Sequence, residues 1–364
     1  MTKTVILLNN NPPFAGTGRY AYMLHRSLTR LNMKVVFITW DKELFNSIYQ
    51  SLRAFRLEWI YYLWKFKYLS AKLKINSSLV HITNAGYLVS VVPSLKRKAV
   101  SKIVITVHDL IPFIIPRSIA TFHVQNKMFS IINTDYIITV SENTKKDLLH
   151  FIGVDPRKVK VVYNGVDHEL FKPRDKFEAR RRLGLPLDRP IILNVGSEEP
   201  RKNIPILLNS FKELLNSNPN ALLVRVGKRT AQIEKLIRKL DLSGEVLYCR
   251  ASQDELALYY NAADLLCFPS YYEGFGNPPL EAMASGLPVI ASNRASIPEV
   301  VGDAGILLDP FDVEGFAYWM YEMLTNEDLR ARFYETGYKR SLNFSWEKCA
   351  RETLEVYNKV LNEV

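Results

Sequence analysis

Short apolar runs alternate with helix-like segments through both halves of the chain, and this alternation constrains the fold more than any other feature. Continuous apolar runs predict strands that are buried on both faces, and the helices between them predict that neighbouring strands run parallel. In the first half the predicted strands are Thr4–Leu8, Lys34–Thr39, Ser78–Ile82, Ile103–Val107, Tyr136–Val140 and Val159–Val162. In the second half they are Ile191–Val195, Leu222–Val226, Val246–Cys249, Asp264–Phe268, Pro288–Ala291 and Gly305–Leu308. We therefore predict an α/β protein with two Rossmann-like domains.

The boundary between these domains is predicted at a turn signal, Tyr163–Asp167, which directly follows a predicted strand. This places the first domain at residues 1–166 and the second at residues 167–344. At 364 residues the chain is long enough for two domains with separate hydrophobic cores. A final helix is predicted from Ser345, which would act as its N-cap, to about Asn362.

The net charge of +11 is concentrated in residues 1–110, which carry 16 Lys and Arg against four Asp and Glu, a net charge of +12. Its densest part is Arg53–Lys74, where basic residues alternate with Trp, Tyr and Phe at helical spacing. Such a helix suits the headgroup layer of an anionic bilayer. The alternative is an ordinary domain helix whose apolar stripe lies in the core and whose lysines are solvated. Nucleic acid is disfavoured as a partner, because the charge sits on one segment without a recognisable binding motif.

Cys249, Cys267 and Cys349 are scattered without metal-ligand spacing, which predicts reduced cysteines. No signal peptide precedes Val5, and no apolar run approaches the roughly 18 residues of a membrane span. These features predict a cytoplasmic protein. If the basic segment binds lipid, the protein would be peripheral on the inner face of the cytoplasmic membrane.

The segment Ser270–Gly286 places two carboxylates eight positions apart, with Glu273 in a glycine loop and Glu281 in the predicted first turn of a helix. Backbone N–H groups at such a turn and helix start attract phosphate. Each carboxylate can accept two hydroxyl hydrogen bonds, which suits one vicinal diol on a hexose and another on a ribose. The segment therefore predicts a nucleotide-sugar site, although Glu281 alone would also fit a residue that complements the helix dipole.

A dehydrogenase is the main rival interpretation, because Gly16–Ala21 matches the dinucleotide fingerprint G-x-G-x-x-A and Asp41 ends the second predicted strand. In that fingerprint the first glycine turns directly off the strand. Here the residues from Asn9 to Ala15 intervene, so the loop is too long for the tight turn. It is instead long enough for the Gly16 backbone to approach a diphosphate from the opposite side of a cleft between the domains.

The pattern Glu-x7-Glu, written EGFGNPPLE and followed by SGLPVIAS, resembles the retaining glycosyltransferases of family 4, which have the GT-B fold. The resemblance spans nearly the whole chain. It also rests on the segments Ala15–Tyr20, Val107–Leu110, Val140–Thr144, Asn164–Asp167, Val195–Asn203, Pro298–Val300 and Phe344–Glu347. It implies a first domain that binds the acceptor and a second that binds the nucleotide sugar. It also implies that the C-terminal helix, residues 345–364, crosses back to the first domain.

The resemblance further implies the roles of individual residues. The catalytic residues would be His108, Arg201, Lys202 and Glu273. The donor-binding residues would be Gly16, Gly196, Ser197, Arg201, Lys202, Cys249, Arg250, Glu273, Gly274, Phe275, Gly276, Asn277 and Glu281. Lys202 is expected to bind the diphosphate, His108 to contact the transferred sugar, and Glu281 to hold the ribose. Many similar proteins carry arginine directly after the strand-end glycine, where this chain has Ser197, so Arg201 is expected to compensate.

Asp109 fits a turn cap as well as an acceptor contact. No Asp-x-Asp motif is present and the Arg201–Lys202 pair can neutralise a diphosphate, so no metal or cofactor is expected. The segments GSEEPRKN and VHDLIPF are most similar in sequence to bacterial or archaeal mannosyltransferases of surface polysaccharide synthesis. This similarity favours GDP-mannose as the donor over UDP-glucose or UDP-N-acetylglucosamine. The expected acceptor is a lipid-linked or surface oligosaccharide. The alternative to an enzyme is a non-catalytic protein with the same fold that binds a nucleotide sugar or a lipid.

Overall fold

The computed structural model describes residues 4–9, 11, 16–38, 79–85, 92, 95, 102–115, 125–126 and 128–362. The chain divides into two compact units. Unit 1 comprises Met1–Tyr163 together with Trp346–Val364, and unit 2 comprises Asn164–Ser345. The basic segment Arg53–Lys74 lies outside the described residues, and so does Asp41.

Among its described residues, unit 1 contains a parallel sheet with the strand order β2-β1-β3-β4-β5-β6. The strands are β1 (Thr4–Leu8), β2 (Lys34–Ile38), β3 (Leu79–Ile82), β4 (Ile103–Val107), β5 (Tyr136–Thr139) and β6 (Val159–Val161). The helices are α1 (Gly16–Arg30), α2 (Ile111–Ile114), α3 (Glu142–Ile152) and the C-terminal α12 (Trp346–Asn362). Every residue of β4 is buried, as expected for a central strand with side chains packed on both faces.

The C-terminal helix α12 packs on the sheet of unit 1. Its buried side chains, including Trp346 and Tyr357, share one apolar cluster with Val5 and Leu7 of β1 and with Leu24 of α1. The last helix of the sequence is therefore part of the core of the first unit, as the resemblance implied.

Among its described residues, unit 2 contains a second parallel sheet, with the strand order β12-β11-β10-β7-β8-β9. The strands are β7 (Ile191–Val195), β8 (Leu222–Val226), β9 (Val246–Cys249), β10 (Leu265–Phe268), β11 (Val289–Ser292) and β12 (Ile306–Leu308). The helices are α4 (Lys176–Leu183), α5 (Ile204–Ser217), α6 (Ala231–Lys239), α7 (Gln253–Ala262), α8 (Asn277–Ala284), α9 (Ile297–Val301), α10 (Val313–Thr325) and α11 (Glu327–Ser341). Together the two sheets confirm the predicted α/β fold.

The order of the strands in unit 2 reverses between β7 and β10. Strands β8 and β9 extend the sheet on one side of β7, and β10 to β12 extend it on the other. Open α/β sheets bind ligands outside the carboxyl ends of the strands at such a switch point. A ligand site is therefore expected at the loops after β7 and β10.

The first turn of unit 2 is bonded to the end of the same unit. Val166 forms a parallel bridge with Ser345, and its N–H donates to the carbonyl oxygen of Phe344 at 3.1 Å. The compact units accordingly divide after Tyr163, a few residues before the predicted boundary at residue 166.

None of the helices in the described part of the chain is both long and apolar enough to cross a bilayer.

Candidate functional site

The loops after β7 and β10 are joined by hydrogen bonds. After Gly196, whose φ is +140°, a short 3₁₀ turn at Pro200–Lys202 leads to Asn203 at the start of α5. The side-chain amide of Asn203 donates to the carbonyl oxygen of Pro269 at 3.2 Å, and the N–H of Tyr271 donates to the carbonyl oxygen of Arg201 at 2.9 Å. These bonds fix the residues from Arg201 to Asn203 against the loop that follows β10.

Glu273 forms ion pairs with both predicted cations. Its Oε1 lies 2.7 Å from Lys202 Nζ and its Oε2 lies 2.8 Å from Arg201 Nη1. Arg201 also donates from Nε to Glu199 Oε2 at 2.9 Å. The side chains of Arg201, Lys202 and Glu273 are only 10–12% exposed, so the charges interact with little solvent screening. This cluster of two cations and one carboxylate is called the cation pair with Glu273 below.

Burial and pairing act in opposite directions on these groups. Burial alone would raise the pKa of Glu273, but Lys202 and Arg201 outweigh it and hold that pKa below its usual range. Burial lowers the pKa of Lys202, and its ion pair with Glu273 only partly offsets this effect. Glu273 therefore remains a carboxylate at neutral pH because its two cationic partners stabilise its charge.

The glycine loop after Glu273 is fixed by Ser296. Its Oγ lies 2.8 Å from the carbonyl oxygen of Glu273 and 2.7 Å from that of Phe275, and shares its one proton between them. Gly276 then adopts φ +118°, which favours glycine, and serves as the N-cap residue of α8. The cation pair with Glu273 thus lies beside a helix N-terminus, where the helix dipole also favours an anion.

Glu281 lies in the second turn of α8, so its predicted position in the first turn is wrong. The helix begins at Asn277 because Gly276 takes the N-cap conformation, which makes Glu281 the fifth helical residue. The helix-dipole effect falls off within the first turn, so it does not explain this carboxylate. Glu281 is 7% exposed, and the hydroxyl of the buried Tyr260 donates to its Oε2 at 2.9 Å. Its burial and fixed orientation suit a binding group better than a surface charge.

The other predicted donor residues of unit 2 lie on the same edge of the sheet without joining the ion pairs. Ser197 is exposed in the turn after β7. Cys249 ends the edge strand β9 and is partly buried, and the following Arg250 is exposed. Asn277 is the first residue of α8. Of the predicted site residues of unit 2, Arg201, Lys202 and Glu273 are thus the ones that the structure joins by ion pairs.

His108 and Gly16 belong to unit 1. His108 follows β4, and its Nε2 donates to the carbonyl oxygen of Thr83 at 2.8 Å while the Tyr20 ring packs edge-on against it at 4.7 Å. Burial lowers the pKa of His108 to about 4, although the bond to Thr83 favours the charged form. The ring is therefore neutral at pH 7, with its proton on Nε2 and a lone pair on Nδ1.

Gly16 begins α1, and a side chain at its position would meet no neighbouring atom within 4 Å. Asp109 accepts the Ile111 N–H at 3.1 Å, which is a turn cap.

A buried polar network in unit 1 was missed from the sequence. His81, which is fully buried in β3, contacts the hydroxyl of Tyr357 at 2.6 Å through Nδ1 and that of Thr106 at 2.8 Å through Nε2. The hydroxyl of Tyr20 lies 3.1 Å from the same Thr106 oxygen. The network connects α12 to β3 and β4 and reaches the residue that packs on His108. Its one signal in the sequence is a histidine inside an apolar strand.

This network makes the stability of unit 1 depend on pH. Burial, with a smaller contribution from His108, lowers the pKa of His81 from 6.5 to about 3. The unfolded chain therefore binds a proton first, and stability falls as pH drops from about 6.5 towards 3. At pH 5 we expect His81 to cost about 2 kcal/mol of unfolding free energy relative to pH 7. His81→Gln should make the unfolding free energy, measured by urea titrations at pH 7 and pH 5, depend less on pH than that of the parent. An equal pH dependence in the variant and the parent would contradict the role of His81.

A cavity of about 450 Å³ lies at the opposite, amino-terminal edge of the unit 2 sheet. Its lining includes Asp264, which precedes β10, and Pro288, which precedes β11. Tyr260 also lines it, and is the residue that contacts Glu281. The cavity is separate from the cation pair with Glu273.

No group of three or more potential metal ligands from His, Cys, Asp and Glu occurs in the ranges that the structure describes.

Two family models match successive parts of the chain. The model described as Glycosyltransferase Family 4 matches residues 14–170, and the model described as Glycosyl transferases group 1 matches residues 175–340. A D-inositol 3-phosphate glycosyltransferase of Nocardioides is 34% identical over 250 residues, covering 63% of this chain and 55% of that protein. The O-antigen chain mannosyltransferase B of Escherichia coli is 37% identical over 170 residues, covering 45% of each. The chain thus spans about half the length of the curated relatives it matches.

Solved structures show the same fold over the whole chain. The sucrose-phosphate synthase of Thermosynechococcus elongatus matches with a TM-score of 0.80 and 23% identity, covering 100% of both chains. Anabaena HepE, solved in complex with UDP and glucose, matches with a TM-score of 0.78 and 18% identity, covering 98% of this chain and 100% of that one. The two glycosyltransferase family models match the two halves of the chain in order, and the solved structures share the arrangement of both sheets, so the chain has the two-domain α/β fold called GT-B.

Proposed function

We propose that this protein is a retaining hexosyltransferase that moves a hexose from a nucleoside diphosphate sugar to an oligosaccharide. The observation that carries the proposal is the contact of Lys202 and Arg201 with Glu273 at the switch point of the unit 2 sheet. Departure of a nucleoside diphosphate leaves negative charge on a phosphate oxygen, and preorganised cations stabilise that charge most effectively. Lys202 has three ammonium protons, so it can bond to a diphosphate while it remains bonded to Glu273.

The roles divide by chemistry. Lys202 and Arg201 would bind the diphosphate, Glu273 would accept hydroxyl protons from the hexose, and Glu281 would accept those from the ribose. The acceptor hydroxyl oxygen attacks the anomeric carbon on the face from which the diphosphate departs, and its proton passes to a diphosphate oxygen. The neutral His108 is assigned to a contact with the transferred sugar, and Gly16 to the diphosphate, both from the family resemblance.

GDP-mannose is the favoured donor. This donor is supported by the similarity of two sequence segments to mannosyltransferases and by the name of the O-antigen chain mannosyltransferase among the relatives. Other relatives are D-inositol 3-phosphate glycosyltransferases, whose name does not point to mannose, so other donors are tested as well. A thermal-shift series with GDP, UDP, GDP-mannose, UDP-glucose and UDP-N-acetylglucosamine tests this choice. A ligand present at 100 times its Kd adds about 2.7 kcal/mol to the free energy of unfolding. A transferase should release nucleoside diphosphate from its donor when acceptor is added, whereas a protein that only binds the nucleotide sugar should not.

Glu281→Ala should raise the donor KM by about tenfold or more with little change in kcat. A hydrogen bond to a charged group contributes about 1.5–3 kcal/mol, and a ribose contact is equal in the ground and transition states. Tyr260→Phe removes the bond from the tyrosine hydroxyl to Glu281 while the carboxylate stays, so it should raise KM less. Steady-state kinetics over donor concentration measure both effects. A fall in kcat with unchanged KM in Glu281→Ala would assign this carboxylate to the reacting sugar instead.

We further propose that the acceptor is a lipid-linked or surface oligosaccharide and that the enzyme is peripheral on an anionic membrane. The support is the net charge of +12 in residues 1–110 and the basic, aromatic composition of Arg53–Lys74. Basic residues near an anionic surface contribute about 1 kcal/mol each, and salt screens this attraction within about 10 Å.

Vesicle sedimentation tests the membrane proposal. The parent protein should bind anionic vesicles at low salt and neutral vesicles poorly. Replacing Lys65, Lys67, Lys72 and Lys74 by glutamine should abolish this binding and leave donor affinity unchanged. A control with four exposed lysines of unit 2 replaced, Lys228, Lys235, Lys239 and Lys339, should still bind the vesicles. Sedimentation of the first variant at the parent level would show that the segment is ordinary domain surface.

A further inference from the structure

Arg225 is a fully buried arginine near the carboxyl end of β8, a strand whose other residues are Leu and Val. An arginine in this environment loses its hydration, so it persists only where buried acceptors compensate. The mechanism proposed above does not use this residue. Its partners therefore indicate what it does.

The guanidinium of Arg225 contacts both sides of the strand end that leads into the diphosphate turn. Nη1 donates to Asn194 Oδ1, and Nη2 lies 3.4 Å from the carbonyl oxygen of Gly196. Asn194 in turn donates to the carbonyl oxygen of Cys267 at 2.7 Å, and Cys267 lies near the end of β10. One buried side chain thus holds the end of β7 and, through Asn194, its neighbour β10.

Glu198, which follows in the same turn, lies close to the Arg225 guanidinium and is fixed by hydrogen bonds. Glu198 Oε1 accepts the hydroxyl proton of Tyr248 at 2.6 Å and lies 3.9 Å from Arg225 Nη2. Its Oε2 accepts the N–H of Thr230 at 2.6 Å. The Tyr248 ring also faces the guanidinium of Arg225, with 5.6 Å between the ring centroid and the guanidinium carbon. The turn from Gly196 to Glu198 is therefore bonded at both ends to β8, β9 and the start of α6.

Close packing leaves this turn little room to move. A Cβ atom at Gly227, directly after β8, would overlap the carbonyl oxygen of Gly196. On the other side, a Cβ atom at Gly196 would reach ordinary van der Waals distance of Lys202, 3.4 Å from its Cε, so the Lys202 side chain passes next to Gly196. The backbone of Gly196 thus lies between the end of β8 and the side chain that carries the ammonium group assigned to the diphosphate. We expect a shift of Gly196 to move the turn beside which Lys202 lies.

We propose that Arg225 is a positioning residue for diphosphate binding. It holds the carbonyl oxygen of Gly196 and the side chain of Asn194, and so fixes the turn against which Lys202 packs. The inference rests on the proposed function. It assigns to Arg225 no direct contact with substrate.

Arg225→Met and Arg225→Lys test the proposal, with Arg180→Met as the matched control. Arg180 is a second buried arginine of unit 2, 3% exposed, and it bonds Asp264 at 2.9 Å and the carbonyl oxygen of Ala262 at 2.8 Å. These partners precede β10, at the opposite edge of the sheet. Both methionine variants should lower the melting temperature. If a methionine variant does not fold, Arg225→Lys, which keeps the charge, provides the comparison.

The readouts are the Kd for GDP and UDP and the separate values of kcat and donor KM. Arg225→Met should weaken binding of the preferred nucleotide by about tenfold or more and lower kcat by a similar factor, because a displaced Lys202 stabilises both bound and departing diphosphate less. Arg225→Lys should recover part of both losses, and Arg180→Met should retain parental values.

Parental nucleotide affinity in Arg225→Met, or in Arg225→Lys where Arg225→Met does not fold, or an equal loss in Arg180→Met, would overturn the positioning role. If the parent protein binds neither GDP nor UDP, the proposed function itself fails, and the positioning role fails with it.

Discussion

Lys202→Ala is expected to lower kcat by about 10²-fold or more while the protein stays folded. The ammonium group of Lys202 is buried and held 2.7 Å from Glu273 Oε1, so it is already oriented before the diphosphate begins to depart. Removing one preorganised donor from a developing anion typically costs this much in rate. Arg201 keeps its own bond to Glu273, so the carboxylate retains a cationic partner in the variant.

Steady-state kinetics with the preferred donor measure the loss, and circular dichroism with a melting curve checks the fold. Lys202→Met keeps most of the aliphatic stem and removes the ammonium group, which lies 5.0 Å from the centroid of the Phe268 ring, and it should lose as much activity as alanine. Lys235→Ala, at an exposed position of α6, should retain parental activity. Retention of half the activity in Lys202→Ala would remove Lys202 from the proposed chemistry.

The strands were predictable from the sequence for a physical reason. A strand of a parallel sheet is covered on both faces, so it reads as a continuous apolar run, and β4 and β7 show this with every residue buried. Glu281 was predicted in the first turn of its helix, but the positive φ of Gly276 makes that glycine the N-cap. The helix α8 therefore begins at Asn277, and Glu281 lies in its second turn.

The contacts within the site were less accessible to sequence reasoning. Glu273 and the Arg201–Lys202 pair are separated by about 70 positions, and they meet because β10 is added beside β7 rather than beside β9. Arg225 and His81 gave only a weak signal, a polar residue inside an apolar run. Their partners, Asn194 for one and Tyr357 for the other, become neighbours only in the folded sheets. Strand order, a tertiary property, carries this information.

Glu273→Ala should cost about 3–5 kcal/mol of unfolding free energy, because it leaves two buried cations without their shared carboxylate. The pKa of Glu273 is held below its usual range, so its contribution is present at neutral pH and is lost as pH falls through that lowered value. Denaturant titrations at pH 7 measure the cost. Glu335→Ala breaks the exposed pair with Lys339, at 3.4 Å, and should change stability by about 0.5 kcal/mol or less.

The same variant distinguishes the two roles that Glu273 could have in catalysis. Removing this carboxylate leaves net positive charge beside the diphosphate, so Glu273→Ala should bind GDP or UDP at least as tightly as the parent. Its kcat should nevertheless fall by about tenfold or more, because a sugar no longer oriented by a carboxylate reacts less often from the bound state. Calorimetric titration and kinetics on one preparation give both values. A parallel loss of nucleotide affinity and kcat would mean that Glu273 acts only by holding Lys202 and Arg201 in place, and the assignment of the hexose hydroxyls to this carboxylate would be wrong.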